Sequence, residues 1–239
     1  MLSLRSCKVS DECIDKILSG CPILESLKLY FCDELRVLDV RMSQRLRTLE
    51  IDRNIWVPGP TQIVAPQIHC LRLSNSQLPC TFVDVSSLTE ASLDICFCSL
   101  EDLKADFLQV MLLKMLDKLQ KCLVKLLQNS PELKKLTVRT MDSGTIQETY
   151  IDDYLNSRGL NPDQCWSSEA RAFKNVYRWD VESKHVASFM ELMLKSAKTL
   201  EKMVVMLKGY LERRRFEELL EMVPMLSHNN NNVSIVLSS

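Results

Sequence analysis

Apolar and polar residues alternate in short stretches that recur along most of the 239-residue chain. Each stretch fits the pattern L-x-x-L-x-L, with other apolar residues in place of some leucines. Alternation with period two is typical of a strand that buries one face, and the first leucine anchors the incoming turn. The copies begin at Leu24, Leu35, Leu46, Ile68, Leu88, Leu133 and Leu200. This recurrence predicts short strands that lie side by side in one parallel sheet.

The beginning of the chain contains one full repeat of the pattern. Leu2 precedes Leu27 by 25 positions. Between these two strand positions, Ser10 is a suitable N-cap for a helix that ends at Gly20. A strand, an outer helix and a second parallel strand make one turn of a leucine-rich-repeat solenoid. We therefore predict an α/β fold built on a parallel sheet.

The next two copies follow at shorter intervals. Those at Leu35 and Leu46 each begin 11 positions after the copy before. This offset is too short for a helical return, because a parallel crossover usually needs about a dozen residues or more. We expect extended loops to replace the helices there, with both copies in the main sheet. Later spacings vary, so the predicted solenoid, residues 1–141, is irregular.

A long amphipathic helix is predicted from Asp102 to Gln128. Leucines recur on one face at helical spacing, and charged or polar residues occupy the other face. Its length of about 27 residues corresponds to about 40 Å. We interpret it as a helix packed on the outer face of the solenoid. The alternative is a peripheral membrane protein, or a partner-binding protein, that uses this helix as its surface.

The C-terminal third has a different pattern. Residues 142–162 are rich in polar and turn-forming residues and predict a linker. A small α+β unit is expected over 163–239. Its predicted elements are a strand at 173–181, a helix at 183–198, a strand at 203–206, a helix at 210–222 ended by Pro224, and a strand at 233–237.

Charge and composition narrow the functional classes. Thirty basic and 31 acidic side chains give a formal net charge of -1. This balance disfavours nucleic acid and anionic membranes as partners. No signal peptide or membrane-spanning apolar run is apparent, so we expect a cytoplasmic or nuclear protein. The ten cysteines lie in leucine-rich contexts and are expected to be reduced thiols.

Candidates for catalysis and metal binding are weak. There is no Cys-x-x-Cys pair, and the three histidines are scattered. We therefore expect no metal, no cofactor and no enzymatic activity. The alternative is a cysteine-dependent enzyme with Cys70 beside His69, although neighbours on a strand point apart.

Several motifs together resemble plant F-box proteins with leucine-rich repeats, in which an FBD domain follows the repeats. The motifs are CPILESLKL at 21–29, SLTEASLDI at 87–95, the Cys165-Trp166 pair, FMELMLKSA at 189–197, LEKMVV at 200–205 and PMLS at 224–227. The resemblance implies the substrate-recognition part of a ubiquitin-ligase component, whose F-box binds a Skp-type adaptor. The sequence opens inside a repeat, at Leu2, with no F-box before it. We therefore expect adaptor binding only if an upstream F-box exists.

The candidate functional residues are the polar ones that flank each strand leucine. In a solenoid they form a continuous concave surface. Their alternating charges suit a protein segment better than a polyanion. The alternative is that these residues only keep the strand face hydrated and bind no partner. The predicted partner-binding residues are Lys28, Tyr30, Asp39, Arg41, Glu50, Asp52, Arg72, Ser74, Asp94 and Arg139.

Overall fold

The computed structural model describes residues 1–32, 34–52, 62–76, 80–96, 108–141, 183–207, 213–228 and 233–238. The strands are β1 Leu2–Arg5, β2 Ser26–Tyr30, β3 Val37–Asp39, β4 Thr48–Asp52, β5 Gln62–Val64, β6 Cys70–Ser76, β7 Thr81–Asp84, β8 Glu90–Cys96, β9 Lys135–Met141, β10 Lys202–Leu207 and β11 Ser234–Ser238. The helices are α1 Asp11–Gly20, α2 Leu108–Asn129, α3 Ser183–Ser196 and α4 Arg213–His228.

An eight-stranded parallel sheet forms the inner layer, in the order β1-β2-β4-β6-β8-β9-β10-β11. The pattern leucines lie opposite one another across it. Leu27 pairs with Leu49, Leu49 with Leu71, and the row continues through Ala91, Leu136, Met203 and Ile235. The members of this row from Leu27 to Met203 are almost completely buried. The predicted common parallel sheet is confirmed.

Shared carbonyl acceptors connect each turn of the solenoid to the next. The carbonyl of Glu25 accepts the N–H groups of Arg47 and Thr48, at 2.8 and 3.1 Å. The carbonyl of Arg47 does the same for His69 and Cys70, at 2.8 and 3.0 Å. The carbonyls of His69, Thr89 and Lys134 repeat the arrangement. Each acceptor is the second residue of an L-x-x-L-x-L copy, so the repeated sequence position corresponds to a repeated backbone role.

The copy at Leu35 belongs to a different sheet. Its strand β3 pairs with β5, and β5 with β7, in a three-stranded parallel sheet. The predicted return loops are therefore short strands, and the prediction that Asp39 and Arg41 share a face with Lys28 is wrong. The physical reason is the spacing. Copies in the main sheet at Leu24, Leu46 and Ile68 are 22 residues apart, so an offset of 11 is half a turn and leads to the opposite layer.

The outer layer continues through the helices. Helix α1 contacts β3, α2 contacts both β7 and α3, and α3 contacts α4. Leu119, Leu123 and Leu127 of α2 are buried, as are Cys122 and Leu126. The part of the apolar stripe that the structure describes therefore packs inside the protein, as the packed-helix interpretation expects. The predicted beginning of this helix at Asp102 lies outside the described residues, and the helix ends at Asn129.

The C-terminal elements extend the same sheet. Strand β10 pairs with β9 through six aligned residues, and β11 pairs with β10. The predicted linker at 142–162, the strand at 173–181 and Cys165-Trp166 lie outside the described residues. The division into a solenoid, 1–141, and a second unit, 163–239, stays a prediction.

Helix α4 does not end at Pro224. It continues through the proline to His228, so the predicted end near Met222 is wrong. A proline inside a helix removes one hydrogen bond and usually kinks or breaks it. Here Leu219 and Leu226, two turns apart on one face, are both buried. Packing on both sides of the proline offsets the lost hydrogen bond.

The edge of the outer sheet suggests a stability test. The Asp11 carboxylate accepts the N–H groups of Arg36 and Val37, at 2.8 and 3.2 Å. We expect Asp11→Ala to lower the free energy of unfolding by about 1–2 kcal/mol, because two strand-edge donors lose their acceptor. Urea unfolding and hydrogen exchange at the two amides measure the effect.

Two matched variants control this test. Asp11→Asn keeps an acceptor oxygen and is expected to lose less, while Asp15→Ala removes an exposed carboxylate of the same helix and is expected to be near neutral. Equal losses for Asp11→Ala and Asp15→Ala would contradict the assigned role.

Candidate interaction surface

One side of the eight-stranded sheet carries a row of polar residues, which alternate with the buried leucines. We call this side the ladder face. Lys28 of β2 lies opposite Glu50 of β4, and Glu50 lies opposite Arg72 of β6. The row begins at Ser3 and continues beyond Arg72 through Ser92 and Thr137, and its last two members, Val204 and Val236, are apolar. A neighbouring row contains Arg5, Tyr30, Asp52 and Ser74, and then Asp94, Arg139, Met206 and Ser238.

Glu50 is the centre of one polar cluster on the ladder face. The Lys28 ammonium lies 2.9 Å from Glu50 Oε2, and the Tyr30 hydroxyl donates to Oε1 at 3.3 Å. Arg72 approaches the same carboxylate at 4.0 Å. The hydrogen bond from Lys28 is the main cause that lowers the pKa of Glu50, and burial opposes it. In turn, Glu50 raises the pKa of Lys28.

Asp94 is the centre of a second cluster. Its Oδ1 lies 3.3 Å from a guanidinium nitrogen of Arg139, and its Oδ2 accepts from the Ser74 hydroxyl at 3.4 Å. The Arg139 Nε–H also contacts the Met206 sulfur, at 3.3 Å. Arg139 of β9 therefore contacts β8 on one side and β10 on the other, and these two contacts fix its position.

Eight of the ten predicted residues lie on the ladder face; they are Lys28, Tyr30, Glu50, Asp52, Arg72, Ser74, Asp94 and Arg139. The other two are Asp39 and Arg41. They form an ion pair at the end of β3 in the outer sheet, and the Arg41 side chain lowers the pKa of Asp39. These two residues do not share the surface with the rest, and their role in binding stays a prediction.

Sequence reasoning missed further members of the ladder face. The Arg5 guanidinium lies over the Tyr30 ring, 5.1 Å from its centre. Lys135 of β9 contacts Glu90 of β8 at 3.3 Å, and Lys202 of β10 lies opposite Lys135. The signal was present, because the last three occupy the third position of their L-x-x-L-x-L copies, on the same face as the fifth position.

Other chemistry finds little support. Burial raises the pKa of the Cys70 thiol, whereas a cysteine nucleophile needs a lowered one. Across the described ranges, no His, Cys, Asp and Glu side chains gather in a group that could hold a metal ion. None of the helices in the described part of the chain has the length and apolar character of a membrane span.

Thiol labelling tests the cysteine-dependent alternative. Cys13 is exposed, Cys70 is half-buried, and Cys32, Cys80 and Cys122 are buried. With iodoacetamide at neutral pH we expect Cys13 to react before Cys70, because the raised Cys70 pKa keeps that thiol protonated. Mass spectrometry of timed samples measures the order. Selective fast labelling of Cys70 would favour the enzyme.

The Glu50 cluster predicts an acid-sensitive contribution to stability. A carboxylate whose pKa is lowered in the folded state stabilises the fold above its unfolded pKa, and this contribution is lost as the pH falls. The ordinary pKa of a glutamate side chain is 4.5. We expect the free energy of unfolding to fall below about pH 4.5, and Glu50→Gln to reduce that fall. Chemical denaturation at several pH values measures it.

An exposed carboxylate supplies the control for this measurement. Glu25→Gln should leave the acid dependence as in the unmodified chain, since the Glu25 side chain is exposed. An acid dependence in Glu50→Gln identical to that of the unmodified chain would contradict the contribution of this cluster.

Comparison with known proteins agrees with the repeat pattern and the fold. The family model described as Leucine Rich Repeat matches residues 2–22. An F-box/LRR-repeat protein of Arabidopsis thaliana is 49% identical over 100% of this chain and 59% of its own length. A putative F-box/LRR-repeat protein of the same plant is 47% identical over 99% of this chain and 61% of its own length.

A third relative is covered more completely. A probable F-box protein of Arabidopsis thaliana is 46% identical over 100% of this chain and 86% of its own length. The chain spans about three fifths of the two F-box/LRR-repeat relatives. The resemblance of residues 163–239 to an FBD domain stays a prediction. With identity of this level across its whole length, the chain belongs to the plant F-box/LRR-repeat protein family.

Proposed function

We propose that this chain is a non-enzymatic recognition module that binds a protein partner on the ladder face. The observation that carries the proposal is the register of the parallel sheet. It places polar side chains from successive turns in straight rows, with charged clusters at Glu50 and Asp94. A rigid scaffold that presents polar groups in fixed positions supports binding by shape and charge.

The proposed cellular role is substrate recognition within an F-box-type ubiquitin-ligase component. Its support is membership of a family whose relatives carry F-box in their names. Attachment to a Skp-type adaptor requires an F-box, which would belong to a longer form of the protein. This role would place the protein in the cytoplasm or the nucleus.

A differential purification from plant extract tests the proposed surface. The double variant Arg72→Ala with Arg139→Ala removes two cations from the ladder face. We expect it to lose about tenfold or more of the recovery of specific partners, because charged anchor residues contribute strongly at interfaces. Quantitative mass spectrometry compares each variant with the unmodified chain.

The matched control is Lys16→Ala with Arg45→Ala. Both control side chains are exposed and lie outside the main sheet, and the change in net charge is the same. Partners that persist in the control and disappear from the ladder-face variant support the proposal. Partner recovery that is equal in both double variants, with both folded by circular dichroism, would overturn it.

Adaptor binding is tested separately. A form of the protein with an upstream F-box is expected to co-precipitate a Skp-type adaptor, and the present 239-residue chain is expected not to do so. Binding of the adaptor by the present chain would contradict the assignment of adaptor binding to an F-box.

A further inference from the structure

The charges on the ladder face are not presented to solvent equally. The acidic side chains at the centres of the two clusters are recessed, with exposed fractions of 15% for Glu50 and 14% for Asp94. Their cationic neighbours project further, with 53% for Arg72 and 44% for Arg139. At these two clusters the arginines therefore form a cationic outer layer above recessed carboxylates.

Two lysines strengthen this imbalance on neighbouring strands. Lys135 and Lys202 are directly opposite each other across β9 and β10. Like charges directly opposite in a sheet destabilise it. The Glu90 carboxylate lies beside Lys135, at 3.3 Å, on the side away from Lys202. The exposed Lys202 leaves this pair with an excess of positive charge, which an anion over β9 and β10 would neutralise.

An apolar area borders these cations. Val204 of β10 lies opposite Val236 of β11 on the ladder face, and Val236 is exposed. Met206 follows in the next row, beside Arg139. At the equivalent positions, β2, β4 and β6 carry Lys28, Glu50 and Arg72 instead of valine. The C-terminal end of the ladder face is therefore apolar next to a cationic centre.

From these observations we propose that the ladder face binds an acidic, extended protein segment. Its carboxylates would contact Arg72, Arg139 and Lys202, and an apolar side chain beside them would cover Val204 and Val236. This inference rests on the proposed function and names the class of partner for the same surface. Asp94 holds Arg139 in place through its 3.3 Å contact, and both Glu50 and Asp94 remain largely shielded from the segment.

The sheet geometry sets the length of the segment. From β6, which carries Arg72, to β10, which carries Lys202, there are three strand steps. At about 4.8 Å a step this is about 14 Å, which an extended chain crosses in about four or five residues. The acidic positions therefore belong to one short stretch of the partner. The apolar contact with Val204 and Val236 then favours a stretch that also contains an apolar side chain over a uniform polyanion.

Selection from a displayed library of random peptides tests the inference, with the full 239-residue chain as the target. We expect the selected peptides to be enriched in Asp and Glu close to an apolar residue. Synthetic versions should bind Arg72→Gln with Lys202→Gln about tenfold or more weakly, because two cationic contacts are lost. Binding to the control, Lys16→Gln with Arg45→Gln, should be unchanged, because both residues are exposed and lie outside the main sheet. Fluorescence anisotropy measures the affinities.

A single charge reversal adds a direction to the test. Lys202 is exposed, so the Lys202→Glu variant should fold. It should weaken the binding of the acidic peptides more than Lys202→Gln does, because it replaces an attraction with a repulsion. Thermal unfolding of each variant separates loss of binding from loss of folding. Equal affinity for the two substitutions would overturn a role for Lys202.

The possible results separate this inference from the proposed function. Selected peptides that bind the ladder face without an acidic excess would overturn the acidic partner and leave the recognition role standing. A lack of selected peptides, or binding insensitive to the ladder-face variants, would count against both. Equally strong competition from duplex DNA or phosphatidylserine vesicles would show a general anion surface and would overturn the inference.

Discussion

In-register pairing between parallel strands is the constraint on which the rest of the structure depends. Neighbouring strands of the inner layer pair their backbone donors and acceptors with each other, and the carbonyls of Glu25, Arg47 and His69 each accept two N–H groups from the next turn. An unpaired backbone group inside a protein costs as much as a lost hydrogen bond. A shift by one residue would also expose the pattern leucines. Register and burial therefore enforce each other, and the ladder face follows from them.

Much of the inner layer could be predicted because its signals are local and repeated. The leucines at Leu27, Leu49 and Leu71 recur with the alternation of a strand, and their alignment requires only equal turn geometry. The outer layer could not be read in the same way. The segment at Leu35 has the same local pattern, but its strand lies in the other sheet. Local alternation shows which face of a strand is buried. The sheet that the strand joins depends on the number of residues between one copy of the pattern and the next.

The same distinction applies to the helix at Pro224 and to the candidate surface. A proline predicts the end of a helix from local geometry, yet burial of Leu219 and Leu226 depends on neighbouring elements that no local pattern shows. Similarly, the sequence indicated which charges share a face but not how exposed each side chain is. Contacts with Lys28 and Arg139 on adjacent strands keep the Glu50 and Asp94 side chains close to the sheet and largely covered. Depth depends on contacts between turns, which only the folded chain displays.

The two-layer arrangement has a consequence for how members of this family can diverge. Contacts that set the spacing of the ladder face lie in the inner sheet, whereas the outer path of a turn is a three-residue strand in one place and a 22-residue helix in another. An insertion or deletion on the outer path therefore changes the thickness of the outer layer without moving the rows of the inner sheet. Such a protein can acquire or lose outer segments over evolutionary time and still offer the same array of side chains to its surroundings.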